Sequence, residues 1–169
     1  MDELDMKILE MLQRNSKISL SKLSSMLGRP RTTVGERIAK LEREGYILGY
    51  KAIVDPRKLG YKYVAFVMLK VRRKVNIKGE SNQEVLASKI MEDSRNNPSL
   101  PYVEEAHIVT GAYDLILKVW ARSWNELTNF LIKYLASLED VVWTETFLAL
   151  RSISKPLEGF PIRHGSEKH

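Results

Sequence analysis

The residues of this chain best equipped for chemistry run from Arg29 to Lys40: Arg-Pro-Arg-Thr-Thr-Val-Gly-Glu-Arg-Ile-Ala-Lys. Arginine can pair with guanine edges, threonine offers a hydroxyl or a methyl, and glycine lets a backbone come close. A helix with these residues on one side can enter a major groove. Arg31, Thr32, Thr33, Gly35 and Glu36 form the candidate base-facing set. Lys22, Arg29, Arg37 and Lys40 are candidate phosphate contacts, which position a protein without specifying sequence. Arg37 has a second reading, an ion pair with a glutamate of its own domain. Glu36 repels phosphate but can accept from a cytosine amine.

A second candidate is the turn Gly111-Ala112-Tyr113-Asp114. Glycine permits a tight turn that exposes backbone N–H groups to a carboxylate, and Asp114 could take an α-ammonium. An amino acid carries both groups. The alternative is a plain hairpin whose aspartate caps its own backbone. Little else is catalytic or metal-binding: His107 stands in an alternating segment with no second ligand at metal spacing. Trp120, Trp124 and Trp143 suit a core or an interface. No phosphate-cradling glycine loop and no nucleophile with its base is present.

These residues need elements to hold them. Leu20, Leu23 and Leu27 fall on one stripe of a helix capped by Ser19, and Gly28 suits its left-handed end. Pro30 fits the first turn of the next helix, where Val34, Ile38 and Leu41 point inward and Gly45 closes. A leading helix over 2–14, capped by Asp2 with Leu4, Ile8, Met11 and Leu12 on one face, completes a three-helix core. Tyr46 to Val54 has the composition of a short strand, and Asp55 to Gly60 that of a turn.

Beyond Tyr63 the period changes. A continuous apolar run over 63–71 predicts a strand buried on both faces. A polar loop follows at 76–81, then a helix over 83–91 with Leu86 and Ile90 inward and Val85 a candidate to join them. Residues 96–101 read as loop, 103–110 and 114–121 as strands around the 111–113 turn. Ser123 to Glu126 has capping-box spacing and starts a helix carrying Leu127, Phe130, Leu131, Tyr134, Leu135 and Leu138. A last strand spans 141–150, and a tail from Pro156 is expected to be loosely held. This β-α-β-β-α-β order implies a ferredoxin-like sheet with both helices on one face. The other face keeps apolar side chains and needs a cover, most cheaply the same face of a second copy.

The net charge of +6 is unevenly spread. Residues 14–43 hold eight Lys and Arg against two Glu, so the positive field sits on the helical pair. A basic helical hairpin that only solubilises the surface is the plainer alternative. With no cysteine there is no disulfide framework or thiolate metal site, consistent with a reducing, cytoplasmic setting. The acidic N-terminus is no secretory signal, and no apolar run is long enough to cross a membrane.

With these pieces in order, residues 2–155 resemble the Lrp/AsnC, or feast/famine, transcription regulators of bacteria and archaea. The resemblance rests on Leu4-Asp5-Met6-Lys7-Ile8-Leu9, on Val34, Arg37-Ile38 and Leu41 to Ile47, and on Val54-Asp55-Pro56 with Leu59-Gly60. In the second half it rests on Val109 to Asp114 and Thr144-Glu145-Thr146. It implies an α+β protein. A helix-turn-helix, winged-helix-like domain occupies 1–46, a strand and linker 47–62, a ferredoxin-like domain 63–155 and a tail 156–169. It further implies double-stranded DNA as partner, a homodimer that builds tetramers or octamers, no cofactor, and an amino-acid effector. The effector would sit where dimers meet, at Thr110, Gly111, Ala112, Tyr113 and Asp114, with Thr144 and Thr146 nearby. Two departures stand out: Arg29-Pro30 replaces the family's usual Leu-Ser, and Gly35-Glu36 replaces a common basic or polar pair, so base preference does not transfer. The competing functions are a DNA-compacting architectural protein and a small ferredoxin-like enzyme using Asp114 as a base.

Overall fold

The computed structural model describes residues 1–72, 79 and 81–153, in two compact units, Met1–Ile53 and Val54–Ser152. The first unit is three helices: α1 (Glu3–Arg14), α2 (Leu20–Leu27) and α3 (Arg31–Arg43). Asp2 caps α1 reciprocally: its carboxylate accepts the Asp5 N–H while the Asp5 carboxylate accepts the Asp2 N–H, each at 2.9 Å. Ser19 caps α2, and Gly28 ends it with φ 62°, a left-handed conformation that favours glycine. Pro30 occupies the cap position of α3 rather than its first turn, one residue earlier than the sequence pattern suggests. Ile8, Leu23, Val34 and Leu41 are the fully buried centre, with Leu4, Met11, Leu12, Leu20, Leu27 and Ile38 packed around it.

The strand expected over Tyr46–Val54 is absent: among the described residues of this unit no strand forms. Its composition suits a pleated surface, yet a strand exists only through a ladder with a neighbour. Leu48 is 96% exposed and Tyr50, Ile53 and Val54 are also open. A 3₁₀ turn, Pro56–Leu59, follows, capped by Asp55 and closed by Gly60.

The second unit is a four-stranded antiparallel sheet of order β2-β3-β1-β4, from β1 (Tyr63–Val71), β2 (Tyr102–Ile108), β3 (Leu115–Ala121) and β4 (Val141–Leu148). Helix α4 (Asn82–Asn96) links β1 to β2, and α5 (Trp124–Asn129) leads from β3 towards β4. The core is formed by Ala65, Val67, Leu69 and Val71, by Leu115, Leu117 and Val119, and by Leu86, Ile90, Leu127, Phe130 and Leu135 of the helices. This is the ferredoxin-like arrangement read from the sequence, with corrections. Only one face of β1 is deeply buried; Phe66 on the other is 39% exposed. Helix α4 runs five residues past Met91, with a reciprocal cap from Ser81 and Glu84, and Val85 is exposed rather than inward. The loop over 76–81, apart from Gly79 and Ser81, and the tail from Pro156 lie outside the described residues.

The single amphipathic helix expected after Ser123 has three parts: α5, a π turn at Phe130–Tyr134, and a 3₁₀ turn at Leu135–Ser137. Phe130 and Leu135 are fully buried in the core with Tyr134 packed beside them, and the rings of Phe130 and Tyr134 stack 5.4 Å apart. Only half of the capping box forms: Ser123 accepts the Glu126 N–H, but Glu126 returns to the Arg122 N–H instead. In β2 a bulge between Val103 and Glu105 lets the successive Glu104 and Glu105 both reach Lys118, at 2.9 and 3.0 Å.

Candidate nucleic-acid interface and effector turn

Three side chains of α3 fix which way it faces. Val34 and Leu41 are fully buried and Ile38 packs beside them, so Arg31, Thr32 and Glu36 are turned to solvent. With Leu20 and Gly35 they line an open depression of about 450 Å³ at the junction of α2 and α3. A Cβ on Gly35 would meet only Leu20 Cδ2, at an ordinary 3.5 Å, so the helical unit itself does not demand glycine there. The space beside it is the feature that glycine preserves. Because Pro30 offers no side-chain cap, the first-turn N–H groups of α3 are not satisfied from that residue. Such groups suit a phosphate oxygen.

Lys22 and Arg29 are exposed. Thr33 is half-buried, and Lys40 lies 3.9 Å from Glu44 along the helix. Arg37 is paired within its own unit. Its Nη1 donates to Asp2 Oδ2 at 2.6 Å and to Asp5 Oδ1 at 3.2 Å. The intramolecular pair forms, with Asp2, the cap of α1, and Asp5 in place of the glutamate expected. The bond to Asp2 holds the Arg37 guanidinium above its ordinary range. Asp2 is held below the usual carboxylate range, first by the Asp5 N–H and also by Arg37.

In the sheet unit, Thr110, Gly111 and Ala112 form an exposed turn, with Gly111 at φ 119°. Asp114, expected to receive an ammonium, is 1% exposed. Its Oδ2 accepts the Val71 N–H at 3.0 Å and lies 3.2 Å from Lys70 Nζ. It ties the turn to β1, the structural role the sequence left open, except that the backbone it caps belongs to the neighbouring strand.

The strand register separates the remaining effector candidates. Thr144 and Thr146 pair with Leu69 and Val67, so they point to the helix-covered face. Tyr113 reaches the opposite side: its hydroxyl donates to Glu145, and its ring stacks on Trp143 at 5.6 Å. Trp143 and Glu145 are the residues of β4 that meet Tyr113. Alternation along β4 separates the two pairs in the sequence, but only the register shows which pair meets Tyr113. His107 is on the surface, 3.1 Å from Glu105. Trp120 donates to Glu104 at 2.6 Å, and Trp124 packs edge-on against Tyr63. Among the described residues no cluster suits a metal ion, and no helix is long and apolar enough to cross a membrane.

A helix presenting Arg, Thr and Glu beside a glycine, in a chain that also carries a ferredoxin-like domain, is the arrangement of a DNA-binding transcription regulator. The winged helix-turn-helix DNA-binding family matches residues 1–47, and the Lrp/AsnC ligand binding domain matches residues 64–157. The chain belongs to the Lrp/AsnC family. It is 33% identical over 163 residues to the HTH-type transcriptional regulator FL11 of Pyrococcus horikoshii, covering 96% of this chain and 97% of that one. It is 32% identical over 155 residues to the proline dehydrogenase transcriptional activator of Rhizobium radiobacter, covering 92% of each. Among solved structures, E. coli AsnC superposes with a TM-score of 0.74 at 26% identity, covering 92% of this chain and 95% of that one. A Neisseria meningitidis regulator, solved with L-Met, shares the fold with a TM-score of 0.76 at 22% identity over 92% of this chain and 93% of that one.

Proposed function

We propose that this regulator reads double-stranded DNA through Arg31, Thr32, Thr33, Gly35 and Glu36, with Lys22, Arg29 and Lys40 on phosphates. The observation that carries this is the joint exposure of Arg31, Thr32 and Glu36 around Gly35, while Val34 and Leu41 anchor the reverse side of the helix. The protein acts in the cytoplasm as a homodimer, built on the open sheet face that bears Phe66, Trp143 and Phe147, and dimers join into tetramers or octamers. An amino acid at the 110–113 turn modulates it: the exposed turn receives the carboxylate. With Asp114 engaged, Glu145 beside Tyr113 is the carboxylate placed to meet the ammonium.

The test is selection of a duplex from a randomised pool by the full-length protein, followed by titration of that duplex and a scrambled one. Alanine at Arg31 should cost about 1–3 kcal/mol on the selected duplex and relax its sequence preference. Alanine at Lys40 should weaken both duplexes alike and lower the salt slope by about 1. Equal losses for both variants on both duplexes would break the division. Equal wild-type affinity for both duplexes would point to a DNA-compacting protein instead. Calorimetry against the twenty amino acids tests the effector: no heat from any of them leaves the turn purely structural.

A further inference from the structure

The Arg37 guanidinium is bonded to the N-terminal cap of another helix. Nη1 contacts Asp2 Oδ2 at 2.6 Å, Asp5 Oδ1 at 3.2 Å and Asp5 Oδ2 at 3.4 Å. The two carboxylates also hold each other's backbone N–H groups, so one closed set of bonds caps α1 and grips α3. Asp5 is 1% exposed, and a buried carboxylate of that kind is stable only with a charged or hydrogen-bonded partner. Arg37 supplies the charge. The apolar stripe of Val34, Ile38 and Leu41 sets which side of α3 faces inward, but apolar contact is non-directional and leaves the exact rotation of the helix loosely held. Charge-assisted hydrogen bonds are directional.

We propose that the Asp2–Asp5–Arg37 cluster is a positioning device for base reading. It fixes the rotation of α3 about its axis, and with it the aim of Arg31, Thr32 and Glu36; Arg37 itself touches no phosphate. This rests on α3 being the DNA-reading helix. It makes a prediction opposite to simple electrostatics, because removing an acidic group from a basic DNA-binding domain would otherwise tighten binding to every duplex.

The experiment titrates full-length wild type, Asp2→Asn, Asp5→Asn, Arg37→Lys and Arg37→Gln against the selected and scrambled duplexes over a range of salt, with thermal unfolding of each variant recorded. Asparagine remains a good cap at position 2, so Asp2→Asn keeps α1 while losing its charge toward Arg37, and it carries the test if Asp5→Asn unfolds. Expected is about a 5-fold loss on the selected duplex for Asp2→Asn and about 10-fold or more for Asp5→Asn and Arg37→Lys, with scrambled-duplex affinity held or tightened and the salt slope unchanged. Tightening of both duplexes alike by the aspartate variants overturns the proposal. So does full affinity in Arg37→Lys, or a salt slope lower by about 1 in Arg37→Gln, since either makes Arg37 a phosphate contact. A wild type that prefers no duplex breaks the reading of α3 itself, and this inference falls with it.

Discussion

The helical unit closes on four fully buried apolar side chains, Ile8, Leu23, Val34 and Leu41, whereas the sheet unit assembles fourteen buried ones among the described residues. In the smaller unit, partly buried apolar side chains surround these four, and polar devices add to them: the reciprocal cap at Asp2, the Ser19 cap, the left-handed Gly28 and the ion pairs of Arg37. The larger unit fills its interior from two helices and a sheet, and still leaves Phe66, Trp143 and Phe147 open on its outer face. The DNA-reading unit thus has directional bonds where its core is thin. The sheet unit has core to spare and surface that asks for a second copy.

That contrast can be broken most forcefully through the cores. Leu23→Ala should cost about 2–5 kcal/mol, a loss on the scale of a whole small domain's stability. Denaturant unfolding of this variant should show the helical signal lost first. If Leu117→Ala, buried in the larger core, has the same effect on that signal, the two units do not differ as described. The open face comes next. Phe66→Asp should shift the full chain towards monomer in light scattering, with its melting temperature little changed; an assembly state identical to wild type would mean that face is not the interface. The smallest effect is at a cap: Ser19→Ala should cost about 1 kcal/mol of stability, measured by thermal unfolding, and a null result would show that α2 does not depend on its polar end.

Much of the fold was legible because periodicity and caps agree. Asp2, Ser19, Gly28 and Ser123 mark ends that the structure reproduces, and β1 runs from Tyr63 to Val71 as its apolar stretch predicts. What escaped depends on contacts distant in sequence. Tyr46–Val54 has strand composition but no ladder partner among the described residues, and propensity alone does not form a ladder. The π turn at Phe130 left no mark on the apolar stripe, because Phe130, Tyr134 and Leu135 share a face in an unbroken α-helix as well. For the sites, exposure of Arg31, Thr32 and Glu36 followed from the buried stripe opposite them. The partner of Arg37 lies over thirty positions upstream, and the neighbours of Tyr113 were settled by strand register.

The bulge in β2 has a consequence for how the chain behaves in crowded solution. A border strand presents a row of unmet peptide groups that can recruit foreign strands and start aggregates. Here the kink between Val103 and Glu105 breaks the regular spacing, and two adjacent acids anchored to one lysine put charge along that border. An approaching strand would find neither a continuous template nor a dry surface, so the sheet is guarded on that side against runaway growth.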